Sequence, residues 1–395
     1  MTPTAPFDGD LLHLAVPVTR QVQISGPQHW KHLVCGIDSL DLGLEVWWEN
    51  AWAALAEALE RGKISAGKTE GVIWEYRGAG ECLILPRGKP PMYAYHLQTA
   101  DFHLFISERS EPSGYPNVYV SLLAKSLWQR GPTRAIEEVL TFVRNLGGRV
   151  GDCVPSRVDL CADFQIPGGV SLNFLLSHVV ARTRKTDQHL KNGVLETFYV
   201  GARGAPVLSR IYDKGAEIMA HGGEKLWFLD IWKLPAVYDI WRVEFQLRRV
   251  PLKQLRIHSF DELVRSGGSI WRYLTEQWMS LRLPDDENTS RRTLHPWWLA
   301  VQAVGEDFGN QLKVKRKYST GGQAPVEWYT SHASGCLAGF AAREGVDDFD
   351  TALGLLTNAM RTHWSHRNFE DRYRVERIKL GFNDQQEKGE TNEIE

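Results

Sequence analysis

The sequence predicts an α+β protein: a central, largely antiparallel β-sheet covered by helices, followed by a mostly helical C-terminal unit. Two observations carry this. Short segments rich in aromatic and branched residues, separated by Gly, Pro or polar turns, recur over 72–123 and again over 156–248. From about 259 onward the apolar spacing becomes helical.

Residues 1–30 lack sustained periodicity and read as a partly ordered leader. Residues 36–45 form the first expected strand, and 47–61 an amphipathic helix with Trp48, Trp52, Leu55 and Leu59 at helical spacing. Strands are expected at 72–76, 81–85, 92–97, 102–107 and 118–123. Pro132 near a start, with Glu137 and Glu138 in the early turns, opens a helix that Gly147 and Gly148 stop. A strand at 156–164, a helix at 171–183 and strands at 196–200, 207–214 and 241–248 follow. Helices are expected over 259–282 and 297–377, interrupted at 319–325. Asp384, Glu387, Glu390, Glu393 and Glu395 against Lys388 make 381–395 a disordered acidic tail. The expected division is therefore a leader at 1–30, a sheet domain at 31–283, a helical unit at 284–380 and the tail. No internal repeat is visible.

Of the 395 residues, 43% are hydrophobic and 24% charged, which argues against disorder or a fibrous class for most of the chain. No run of about 18 apolar residues occurs, and the N-terminus lacks a basic stretch leading into an apolar one. The expectation is a soluble, cytoplasmic protein with no membrane partner. Cys35, Cys82, Cys153, Cys161 and Cys336 are scattered without a C-x-x-C pair, so buried thiols are expected rather than a zinc ribbon or a disulfide framework. The formal net charge of -2 excludes a uniformly basic protein, yet 182–256 holds fourteen basic residues against eight acids.

Three strands each present one charged face, because residues two apart in a strand point the same way. Arg157, Asp159, Cys161 and Asp163 oppose an apolar set; so do Arg242, Glu244, Gln246 and Arg248; Arg210, Tyr212 and Lys214 share a third face. Each alone reads as a half-buried strand with a solvated side. Aspartate is depleted in strands, however, so two on one face suggest a task. A hard divalent cation, Mg2+ or Mn2+, takes carboxylate oxygens and serves phosphodiester chemistry by polarising a phosphoryl oxygen. Asp159 and Asp163 lie about 13 Å apart in a regular strand, so Asp159 pairs with Glu244 first and Asp163 is the third candidate ligand.

Four segments resemble the replication initiation factor, or Rep_trans, family of rolling-circle plasmid and phage replication initiators and conjugative relaxases. They are Gly36-Ile37-Asp38-Ser39-Leu40, then Arg157 to Asp163, then Phe198 to Arg203 running into Arg210-Ile211-Tyr212-Asp213-Lys214, and last Trp241-Arg242-Val243-Glu244. The third is the most specific. The resemblance spans about 36–282 and implies a metal-dependent single-strand DNA endonuclease and transesterase, in which a tyrosine at the position of Tyr212 attacks a DNA phosphate. The product would be a 5′-phosphotyrosyl link with a free 3′ hydroxyl. A phenol of pKa near 10 needs help at neutral pH, and Arg210 and Lys214 are expected to favour the phenolate. Tyr199 is the rival nucleophile. Arg203, Arg242, Arg248 and Arg249 are the expected DNA-binding residues. Implied partners are origin or oriT DNA, single-stranded at the nick, with room for a host helicase or polymerase and for a homodimer. The alternative is a DNA-binding replication or transcription regulator that keeps the fold without cleavage. No family motif extends into the helical unit.

Other patterns are weaker. Gly62 to Thr69 fits G-x-x-x-x-G-K-T, but it follows a helix and leads into a strand, the reverse of a phosphate-binding loop. His29 and His32, and His363 and His366, are spaced three apart with no third metal ligand near in sequence. Most of the fifteen tryptophans are expected in the core.

Overall fold

The computed structural model describes residues 26–67, 71–220, 225–308, 326–365, 369, 370 and 373. The expected acidic tail, nearly all of the leader and the interruption at 319–325 lie outside the described residues. The chain divides into two compact units, Met1–Arg316 and Lys317–Glu395.

The first unit opens with a long strand, β1 (Lys31–Trp47), and a helix, α1 (Trp52–Ala66). A meander follows: β2 (Val72–Trp74), β3 (Cys82–Leu85), β4 (Tyr95–Gln98), β5 (Phe102–Ile106) and β6 (Val118–Leu122). Two helices, α2 (Ala124–Arg130) and α3 (Pro132–Asn145), lead into a second long strand, β7 (Arg149–Gln165). Next come α4 (Leu172–His178), β8 (Val179–Ala181), β9 (Thr186–Lys191), β10 (Val194–Val200), β11 (Val207–Asp213), α5 (Lys214–Ala220) and α6 (Phe228–Trp232). The unit closes with β12 (Ile240–Arg248), α7 (Arg249–Gln254), α8 (Phe260–Arg272), a π-helical turn at Tyr273–Trp278, β13 (Met279–Leu281) and α9 (Pro296–Ala303).

Among the described residues, eleven strands form one sheet in the order β2-β3-β4-β5-β6-β1-β7-β12-β11-β10-β9, and every neighbouring pair is antiparallel. The expected α+β class with a largely antiparallel sheet is therefore observed. Local chemistry explains the elements. In β1, Leu40, Leu42, Leu44 and Val46 alternate toward one face and are fully buried. In α3, Pro132 sits at the start, where its missing N–H costs nothing, and Ile136, Val139 and Val143 face inward at helical spacing. Ser259 and Glu262 form a reciprocal capping box at the start of α8. Asn192 and Gly193 both adopt positive φ, the two-residue turn that a tight β9–β10 hairpin requires.

The main core lies on one side of the sheet. Phe245 on β12 meets the edge of Trp271 on α8 at 5.4 Å, and Phe164 on β7 meets Trp297 of α9 at 6.1 Å. These contacts join α9 to the sheet unit, beyond the boundary expected at 283. On the other side, a small cluster of Ile218, Phe228, Trp232 and Ile240, with Trp128 against it, covers only one end of the strands. The rest of that side carries polar and charged groups together with partly exposed rings such as Phe105 and Tyr119.

Three expectations change. The helix expected at 171–183 ends at His178, where β-branched Val179 and Val180 turn extended and pair with β13, inside a stretch expected to be helical. The strand expected at 207–214 stops at Asp213, whose carboxylate accepts from the Ala216 N–H at 2.8 Å, so Lys214 opens α5 instead of extending the strand face. Cys336 is an exposed thiol, whereas Cys82 and Cys161 are buried; all five cysteines are free. Gly62 to Ala66 lie inside α1, so the G-x-x-x-x-G-K-T match does not begin as a loop; Lys68 and Thr69 are outside the described residues.

The second unit contains α10 (Val326–Glu344) and α11 (Phe349–Trp364). Gly345, at positive φ, ends the first, and the Asp348 carboxylate caps the second through the Thr351 N–H at 2.8 Å. Among the described residues, no helix is long and apolar enough to cross a membrane.

Phe164 is fully buried on the core side of β7. Phe164→Ala is expected to cost about 3–5 kcal/mol of stability, read as a lower midpoint in urea denaturation of the purified chain.

Candidate functional site

Antiparallel register brings the three charged faces together. Arg210 on β11 stands opposite Glu244 on β12, and Tyr212 stands opposite Arg242. Across the next seam, Glu244 faces Cys161, Gln246 faces Asp159 and Arg242 faces Asp163 on β7. Since directly opposed residues share a sheet face, the tyrosine, carboxylates and arginines of three strands converge. They border a cavity of about 400 Å³ lined by Asp159, Glu244, Arg210, Tyr212, Lys214 and Tyr199, among others.

At the cavity, the Tyr212 hydroxyl donates to Glu244 Oε2 at 2.9 Å. The other oxygen of Glu244 accepts from the Arg210 guanidinium, whose same Nη2 also reaches Asp159 Oδ2 at 3.2 Å. Arg157 clasps Asp159 through Nε and Nη2. Two buried carboxylates from adjacent strands are thus held by arginines that are only partly buried. Burial pushes the Asp159 carboxyl up to about 7, with Arg157 opposing and Glu244 adding to the rise.

Tyr212 is 9% exposed, and burial followed by the Glu244 charge drives its pKa well above the ordinary phenol value. The expectation that Arg210 and Lys214 hold a phenolate is not met in this state. Both lie nearby, but the phenol is neutral and aimed at a carboxylate base. Lys214, at the head of α5, has its ammonium 5.8 Å from the Tyr212 ring centre and 2.8 Å from Glu217. Burial and the neighbouring Arg242 lower its pKa.

Beside the cavity lies a second charged group. Arg242 and Asp163 are both 0% exposed, joined by Nε–Oδ1 and Nη2–Oδ2 bonds of 2.5 and 2.8 Å. Trp232 donates to Asp163 Oδ2 at 2.8 Å. The remaining Arg242 nitrogen, Nη1, donates to Asp38, which also accepts from Trp128 at 3.0 Å. Burial opposes charge on Asp38, but Arg242 and Lys214 outweigh it and hold the carboxyl well below its usual range. Asp163 is therefore not available as a third metal ligand, and Arg242 is not available to DNA: each is consumed by the other. Arg249 donates to the Pro155 and Ile257 carbonyls, fastening α7 to its surroundings. Arg203 and Arg248 are exposed, Arg203 lying 5.5 Å over the Tyr199 ring.

Asp38 lies in the first of the four resembling segments, but no catalytic, metal or DNA role follows for it from the sequence. The β1–β7 register shifts between Ile37 and Ser39, which leaves Asp38 as the extra residue of a bulge and turns it toward Arg242 and the cavity. Its sequence signals are that segment and an aspartate within an otherwise strand-like stretch. Trp128 and Trp232 gave none, since their role depends on where α2 and α6 land.

No protein-family model matches this chain, and no curated protein matches it in sequence. Among solved structures, the rolling circle replication initiator protein from Geobacillus stearothermophilus is similar over 72% of this chain and 100% of its own, at 15% sequence identity and a TM-score of 0.39. A likeness that distant carries no argument about the chemistry, which rests on the side chains themselves.

Asp163→Asn removes the carboxylate that takes two of the three bonds of the buried Arg242 guanidinium and is expected to cost about 3–5 kcal/mol of stability. Equilibrium unfolding monitored by tryptophan fluorescence measures it; a loss below about 1 kcal/mol would return Asp163 to the list of ligands.

Proposed function

We propose that this protein cuts and rejoins one DNA strand with Tyr212 as nucleophile, as an initiator of rolling-circle replication or of conjugative transfer. The observation that carries the reading is the Tyr212–Glu244 hydrogen bond at the cavity edge, with Asp159 and Arg210 beside it. A weakly acidic hydroxyl, a carboxylate within proton-transfer distance and fixed cations make a constellation suited to attack on a phosphodiester. The resemblance of these same segments to Rep_trans initiators and relaxases supports it.

In the proposed step, the Tyr212 oxygen attacks phosphorus while its proton passes to Glu244. The bond from phosphorus to the 3′ oxygen breaks, leaving a 5′-phosphotyrosyl link; the departing oxygen takes a proton from water and becomes the 3′ hydroxyl. Arg210 and Lys214 face the incoming phosphoryl group and neutralise its charge. The reverse reaction reseals the strand.

The donor set also fits a divalent metal. Asp159 and Glu244 offer hard oxygens to a single point, since both accept from the same nitrogen of Arg210. They would hold Mg2+ or Mn2+ in place of that guanidinium, and such an ion, when bound, polarises a phosphoryl oxygen. Tyr199 also lines the cavity but has no carboxylate base among its hydrogen-bond partners in the described residues, which favours Tyr212 over it. The burial of the Tyr212 hydroxyl favours one other reading, a DNA-binding regulator that retains the fold without cleavage.

Supercoiled DNA carrying the origin, incubated with the protein and Mn2+, separates them. The proposal expects nicked DNA with protein joined to its 5′ end, lost in Tyr212→Phe and kept in Tyr199→Phe. Glu244→Gln is expected to slow adduct formation about 10²–10⁴-fold. A shifted but intact plasmid, with no adduct, would establish the regulator instead. A second test needs no DNA. With the Asp159 carboxyl at about 7, a bound ion must displace its proton, so calorimetric affinity for Mn2+ is expected to fall about tenfold per pH unit below about 7 and to be lost in Asp159→Asn.

A further inference from the structure

The polar side of the sheet does not stop at the cavity. Register carries it across four more strands: Ser39 stands opposite Asp159 and Asp41 opposite Arg157; Ser121 opposes Asp41; His103 opposes Ser121; Phe105 opposes Tyr119, and His96 opposes Phe105. The reverse side of the same strands is core, with Leu42, Val120, Leu104 and Leu97 at 0% exposure. A sheet face left to water is ordinarily the polar one. This one carries partly exposed rings. His96 stacks on Phe105 at 4.2 Å, Phe105 meets Tyr119 at 6.0 Å, and Tyr93 lies 5.7 Å from Tyr119.

A cation, Lys89, borders these rings, and the charge of a second, Arg248, reaches it. Lys89 Nζ lies 3.5 Å from the Tyr119 ring centre and 5.3 Å from that of Phe105, and among the described residues neither Lys89 nor Arg248 has a carboxylate within ion-pair distance. Arg248 stands directly opposite Arg157, a like-charge pairing that destabilises an antiparallel seam unless something else is gained. Arg157 is spent on Asp159, and the charges of Arg157 and Arg248 both reach Lys89. Asp41, the acid whose charge acts on Lys89, accepts from Tyr119 and Ser121 at 2.7 and 2.6 Å. The histidines add flat surface and no charge at neutral pH, since burial and His103 bring His96 down to about 4.

From this continuity we infer that the sheet face from β7 to β4 is a track for single-stranded DNA, its phosphates meeting Arg248 and Lys89 and its bases stacking on Tyr119, Phe105 and His96. The inference rests on the proposed DNA-cutting function and assigns the strand beside the nick a bed about 19 Å long, four strand spacings. Rings that accept any base, with cations that follow the backbone, are what sequence-tolerant single-strand binding needs. Track and cavity share one face, so DNA held there leads directly to Tyr212.

The test uses the full chain with fluorescent oligothymidylates of about 20 and about 5 nucleotides, in fluorescence anisotropy across a salt series. The parent is expected to prefer the longer one, and Phe105→Ala to reduce that preference about tenfold. Phe105→Leu, which keeps apolar volume against the fold, should do the same. Lys89→Gln and Arg248→Gln should each reduce the slope of log affinity against log salt by about 0.7. If the Phe105→Leu, Lys89→Gln and Arg248→Gln proteins all bind the long oligomer with parental affinity and slope, while the parent still forms the Tyr212 adduct, the track is wrong and the cutting function stands. If the parent binds neither oligomer, both fall.

Discussion

A charged guanidinium with no exposure, that of Arg242, conditions everything around it. An unpaired buried charge costs several kcal/mol, so β12 can pass this point only if carboxylates meet it with good geometry. Asp163 answers from β7 with two bonds, and Asp38 answers from β1 with the third. Three neighbouring strands are thereby fixed at the level of Tyr212, which stands opposite Arg242 in the register. The indoles of Trp232 and Trp128 fill remaining acceptor positions and attach α6 and α2 to the same group. Placement of the tyrosine is then a result of charge satisfaction two residues away from the chemistry.

The two charged pairs on this sheet face serve different ends although their sequences look alike. Asp163 and Arg242 are fully enclosed and mutually neutral. Asp159 and Glu244 border open space and share a partner, Arg210, that is itself partly exposed. Burial is the first reason that the Asp159 carboxyl rises to about 7 despite two arginines, and the like charge of Glu244 held close adds to it. Enclosure makes the first pair structural, and access leaves the second free to change partners.

Much of this was legible in the sequence. The antiparallel class, most strands near their observed limits and the convergence of Arg210, Tyr212, Asp159 and Glu244 all follow from alternation of two and from the assumption that the three strands adjoin. What failed has physical reasons. Alternation cannot distinguish a charge facing a cavity from one facing another charge, so Asp163 and Arg242 were placed with ligands and DNA contacts. Asp38 was illegible because a bulge breaks the period on which the reading relies. Lys214 left its expected face because Asp213 caps a helix there. β9 is exposed along its whole length and has no apolar side to detect, although the Asn192-Gly193 turn could have revealed the hairpin.

The central seam joins β1 to β7, whose partners nearest in sequence, Trp47 and Arg149, are still about a hundred positions apart. Closing so wide a loop is slow, because chain entropy is lost before any contact repays it. The meander from β2 to β6 needs only local turns and can assemble on its own, while β1 keeps one edge unpaired until β7 has emerged from the ribosome. During synthesis, then, the most vulnerable moment of this chain is the interval in which half of the sheet is built and its middle strand waits for a neighbour.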